Sequence, residues 1–147
     1  MAGLLGSGLK AEAMEVAGRF LEIAGDDRAH IVMSRLRRSL GAMKLSVQQA
    51  KLAVSKAPRS AAAELNMSMA LLAAMKTEAA GKHLKRAVGL KGGDRREWLE
   101  AAAQFQKVQQ IDLALIAIRR AQFLRSQDPK IRALMEQYEY EASARPG

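Results

Sequence analysis

The chain has no cysteine among its 147 residues, which removes disulfides, thiolate metal sites and Cys nucleophiles together. Aromatics are scarce, at 4% of the chain, although 49% of it is hydrophobic and eight residues are Met. That balance disfavours a sheet core of β-branched and aromatic side chains and favours closely packed helices. No apolar run approaches the roughly 18–20 residues that a spanning helix needs. The opening Met-Ala-Gly-Leu-Leu-Gly-Ser-Gly lacks the basic and apolar regions of a secretory signal, so a soluble cytoplasmic protein is expected, with residues 1–8 a flexible lead-in. The run from Gly89 to Gly93 has neither the spacing nor the preceding strand of a phosphate-cradling loop and reads as a helix terminator. His30 and His83 stand without a partner at ligand spacing and read as surface or groove side chains. No metal, cofactor or catalytic residue is therefore expected, and the chain reads as no enzyme.

Positive charge is plentiful. Lys plus Arg number 24 against 15 Asp plus Glu, for a net charge of +9, so attraction to something anionic follows. The densest cluster is Lys82-His83-Leu84-Lys85-Arg86, with Arg119 and Arg120 nearby if the chain repeats. Lys82, Lys85, Arg86, Arg119 and Arg120 thus form a candidate surface for nucleic acid or anionic membrane. A solvated helix face explains the same cluster more simply, because no base-stacking aromatics interleave the charges.

The chain does repeat. Ser34, Ser68 and Ala102 recur at a spacing of 34 residues, as do Ser46, Ala80 and Ala114, and Ala53, Ala87 and Ala121. Small residues recur where helices must touch. The third copy reads Trp98, Ala101, Ala102, Phe105, Ala114, Ile118 and Ala121, which resembles the signature of the tetratricopeptide repeat. The repeats are read as 27–60, 61–94 and 95–128, after an N-terminal helix at 9–25 and before a capping helix at 129–143. Ser46 with Gln49 reads as a capping box, Ser60 and Asp94 as N-caps, and Asp128-Pro129 as the start of the cap. Trp98 is expected to pack between helices. The fold class is all-α, and the resemblance implies a right-handed solenoid of antiparallel helix pairs.

The resemblance also implies that first helices line a concave groove that binds a partner protein. Its contacts would be Arg28, Arg35 and Arg38 at one end, Leu65, Asn66, Met69 and Leu72 in the middle, and Arg96 beyond. The partner expected is a peptide or protein segment with an apolar anchor beside acidic residues, bound by an adaptor or chaperone-like module. Some tetratricopeptide modules hold a C-terminal carboxylate with a five-residue clamp. The matching positions here are Ile31, Arg35, Asn66, Arg96 and Glu100, where Ile31 lacks a charge and Glu100 is expected to repel a carboxylate. Leu9, Val16, Phe20 and Leu21 of the N-terminal helix are the candidate surface for a homodimer.

Overall fold

A computed structural model describes residues 11–12, 14–16, 19, 26–90, 93–124 and 129–144. Its helices are α1 (Asp27–Ser39), α2 (Met43–Lys56), α3 (Ala61–Ala73), α4 (Thr77–Val88), α5 (Arg95–Lys107), α6 (Ile111–Leu124) and α7 (Pro129–Ala144). Residues 11–12, 14–16 and 19 are also helical, and among the described residues there is no strand. The helices pair as α1 with α2, α3 with α4 and α5 with α6, and α7 packs on α6. Contacts of α1 with α3, α3 with α5 and α4 with α6 stack the pairs into a solenoid.

The same local chemistry builds each pair. Asp26, Ser60 and Asp94, again 34 apart, are extended N-caps whose side chains accept from the backbone N–H of Ala29, Ala63 and Glu97. Each cap satisfies one of the orphan donors of a first helix. The turn after it is equally regular. Gly41, Met75 and Gln109 all have positive φ, at 81°, 65° and 62°. On either side the N–H of Ala42, Lys76 and Gln110 donates to the carbonyl of Arg37, Leu71 and Phe105, each at 2.9 Å. This six-to-one bond around a left-handed residue closes a helix and reverses the chain. Helices α2 and α4 lack this help, since Ala42 and Lys76 precede them with no side-chain cap.

The capping box expected at Ser46 and Gln49 is therefore a correction. The second helix starts at Met43, three residues earlier, and both side chains serve the helix pair instead. Ser46 Oγ donates to the carbonyl of Ser34, and Ser34 Oγ to that of Ser46, each at 2.8 Å. In the second pair Ser68 Oγ donates to the carbonyl of Ala80 at 2.7 Å. In the third, Ala102 and Ala114 meet with no hydroxyl at all, both buried. Ala53, Ala87 and Ala121 are likewise each fully buried.

One core runs from Val47 in α2 to Tyr138 in α7. Helix α3 lies at its centre and is buried at Ala61 and at every position from Ala63 to Leu72. Trp98 is fully buried in α5, so it is a packing residue. A Cβ added at Gly93 would lie 3.0 Å from the Trp98 indole nitrogen and 3.5 Å from Leu65. Its φ of 75° favours glycine there, and a side chain would also crowd the indole.

The shared turn yields a test. A left-handed conformation costs a residue with a Cβ roughly 1–2 kcal/mol, and Met75 is 87% exposed, so its side chain contributes little packing in return. Met75→Gly should raise Tm by a few degrees, at roughly 2–4 °C per kcal/mol for a domain of this size, and Gly41→Ala should lower it. Thermal melts that show no gain for Met75→Gly would contradict the assignment of strain to this turn.

Candidate functional site: the concave groove

The first helices α1, α3 and α5 lie side by side, and two adjoining cavities open along them. The inner one has room for a single water-sized occupant, about 20 Å³, among Ile31, Arg35, Arg38, Ala62, Leu65, Asn66, Met69, Glu97 and Glu100. The outer one, about 280 Å³, is lined by Arg38, Met69, Leu72, Ala73, Glu100, Gln104 and Val108. Arg38, Met69 and Glu100 belong to both and so form the wall between them.

That wall is held by charge. Glu100 accepts from Arg35 at 3.1 Å and from Arg38 at 3.4 Å. The Arg38 side chain is only 19% exposed, and burial lowers its pKa from the ordinary arginine value, with Glu100 opposing that shift and Arg35 adding to it. In the same inner cavity Asn66 is buried, and its Nδ2 has no hydrogen-bond partner. Glu97, at the α5 N-terminus, is held above the usual carboxylate range, chiefly by burial and next by the charge of Asp94.

Of the groove residues read from sequence, the structure brings Arg35, Arg38, Leu65, Asn66, Met69 and Leu72 to these cavities. Arg28 and Arg96 are exposed and line neither cavity. Leu65, Met69 and Leu72 are 2%, 6% and 7% exposed, so the apolar middle is packed by neighbouring helices and presents edges rather than an open floor. Glu100, the clamp position expected to repel a carboxylate, is itself paired with Arg35 and Arg38. The exposed apolar side chain of the outer cavity is Val108, which sequence reasoning missed.

The basic convex candidates divide. Lys82, Lys85 and Arg86 are exposed. Arg119 lies 3.9 Å from Glu139. Arg120 is engaged with its own chain, donating to the carbonyl of Leu90 at 3.3 Å and lying over the rings of Trp98 and Phe123. Of the N-terminal candidates, Val16 is 64% exposed, and Leu9, Phe20 and Leu21 lie outside the described residues.

The histidines are a second correction. His30 is buried, with Nδ1 2.8 Å from Gln49 Oε1, and His83 Nδ1 is 2.6 Å from Oε2 of the buried Glu64. Both pairs span 19 residues, and the 34-residue register sets His30 over Glu64 and Gln49 over His83. The same interhelix rung thus occurs twice with its partners exchanged. Trp98 and Ala117 fill its place in the third pair, both fully buried. The 34-residue shift that aligned the small residues would have exposed this pairing, had it been applied to the polar ones. Among the described residues no group of His, Asp and Glu stands together to hold a metal, and no helix is long and apolar enough to cross a membrane.

Two measurements follow. His83→Ala leaves the Glu64 carboxylate buried without its partner and should cost about 1–3 kcal/mol in urea unfolding, whereas Glu64→Gln, which keeps a hydrogen-bonding partner, should cost less. Equal losses would mean that the rung carries no hydrogen-bond energy. Glu97 gives a pH dependence. Because its folded-state pKa is raised from the ordinary 4.5, the folded state holds that proton more tightly. Its favourable contribution is complete below the ordinary value and is lost as pH rises through the raised one. Glu97→Gln should therefore be more stable than the parent at neutral pH and lose that advantage in acid, by an amount kept small by solvent around this half-buried group. An advantage constant across the pH range would show that charge is not its source.

Comparison with known proteins adds one finding. No protein-family model matches the chain, and no curated protein matches its sequence. A crystal structure of a thermophilic TPR protein of Thermus thermophilus superposes with a TM-score of 0.69 at 18% identity, covering 92% of this chain and 76% of the other. The capped pairs, the shared left-handed turns and this likeness agree: the chain folds as a tetratricopeptide-type helical solenoid.

Proposed function

We propose that the chain is a noncatalytic interaction module, an adaptor or chaperone, that receives a segment of a partner protein at the concave groove. The observation that carries this reading is the outer cavity, where Val108, Leu72, Ala73 and Met69 meet Arg38 and Glu100. Apolar edges beside a paired charge suit an aliphatic anchor flanked by acidic residues. Charge supports the acidic preference. Residues 28–63 contain eight Lys and Arg and no Asp or Glu, so even with Arg35 and Arg38 paired to Glu100 repeat one attracts negative charge to its end of the solenoid. The fold supports a scaffold for protein partners in general.

The test must avoid variants that merely unfold. Met69 is 6% exposed, and Met69→Asp would bury a charge in the core. Val108 is 43% exposed and serves better. On an array of peptides pairing one Leu or Phe with two or three Glu, Val108→Asp should weaken binding about tenfold, a loss near 1.4 kcal/mol, even at about 1 M salt, where repulsion between the new carboxylate and the peptide is screened. Arg28→Glu should weaken it mainly at low salt, where screening is least. If both variants bind as the parent does and binding fails only when Lys82, Lys85 and Arg86 are changed to Gln, the groove is not the site. The convex basic surface, with nucleic acid or anionic membrane as ligand, would then replace it.

A further inference from the structure

Helices α1 and α5 make no backbone contact among the described residues; each packs on α3, one on either side. They are nevertheless tied, because Arg35 and Arg38 of the first repeat both hold Glu100 of the third, 65 and 62 residues away. This tie spans the second repeat, and all three of its residues line the inner cavity. We propose that Glu100 is a latch: its carboxylate holds α1 to α5 and keeps the inner cavity narrow, and it competes for Arg35 and Arg38 with acidic side chains of any partner.

Three observations point to a latch rather than a permanent brace. First, the Arg35 and Glu100 side chains are 48% and 35% exposed, and ion pairs reached by solvent are weak and salt-sensitive. Second, Asn66 lines the inner cavity together with the three bridge residues, nine-tenths buried and with its Nδ2 donating to nothing. A buried amide N–H without an acceptor is costly and uncommon, and Asn66 here adds an unused donor to the two guanidinium groups. A carboxylate has about four acceptor sites, so an incoming one could take bonds from an arginine and from Asn66. Third, the inner cavity has room for only a water-sized body as it stands, so a side chain can fill it only if α1 and α5 move apart. Stacked repeats contact only their neighbours, which leaves the tilt of one repeat on the next as the soft coordinate of a solenoid. A bond from the first repeat to the third is what can lock it.

The competition rests on the groove reading above, while the latch itself can be tested without any partner. The chain has no cysteine, so Val32→Cys on α1 and Ala103→Cys on α5, both exposed, can carry a pair of spin labels. Pulsed electron resonance then reads the width of the groove. Glu100→Gln keeps the shape and removes the charge; it should move the distance distribution to longer values and broaden it, and the Arg35→Gln, Arg38→Gln double variant should do the same. Salt near 1 M, where the Debye length is about 3 Å, should move the parent the same way. Distances in both variants that superimpose on those of the parent, with helical content intact by circular dichroism, overturn the latch.

A second arm uses a peptide with one Leu between two Glu, and its Gln counterpart. The Glu peptide should bind Glu100→Gln several-fold more tightly than it binds the parent, and the Gln peptide should not distinguish the two. Equal affinity of the Glu peptide for both proteins overturns the competition. If neither peptide binds any form although the distances lengthen, the latch holds and the groove reading fails. If the Glu peptide binds the parent and loses affinity with Val108→Asp although the distances never change, the groove reading holds and the latch fails.

Discussion

The close approach of the two helices within each pair governs the rest of the structure. Ser34 and Ser46, Ser68 and Ala80, and Ala102 and Ala114 are all buried, and nothing larger than a serine stands at these equivalent positions. Close axes bring the backbones near enough for a hydroxyl to reach the opposite carbonyl. They also leave each first helix with a second apolar face, which only the next pair can cover. Gly81 shows the same constraint between neighbouring pairs, since a Cβ there would stand 3.0 Å from Leu113. Stacking follows, and with it a row of first helices whose exposed edges make the groove.

Much of this was legible in the sequence, because periodicity and caps are local signals. Ser60 and Asp94 could be read as N-caps from residue type and position alone, and both cap their helices. Ser46 could not. Its type and its distance from Gln49 fit a capping box, but a fully buried hydroxyl between two helices satisfies a carbonyl as well as a cap satisfies an N–H, and only packing decides between them. The histidines failed for a related reason. Ligand spacing within one helix is three or four residues, whereas the pairs here lie 19 apart across a helix turn, where sequence shows no pattern until the repeat is superimposed on itself.

The groove was half legible. Family correspondence put all eight named residues on the first helices and six of them at the cavities, but it treated each charge as facing a ligand. Charges in a narrow solenoid face one another first. Arg35 and Arg38 lie on one wall and Glu100 on the other, so the polarity that would attract a partner is already partly spent within the chain. Arg120 follows the same logic on the convex side, where two aromatic rings and a carbonyl hold it. Counting basic residues overstated the free charge of both faces.

The interhelix rungs also change character along the chain. The first pair is joined by reciprocal serine bonds and a His–Gln bond, the second by one serine bond and a Glu–His bond, and the third by alanines and a buried indole. Hydrogen bonds are directional and fix the rotation of one helix about its neighbour, whereas a large apolar side chain fixes only the space between them. The first repeat is therefore a joint set by angle and the third a joint set by volume. A change that moves an atom without changing its bulk will be felt at the start of the solenoid, and a change in bulk at its end.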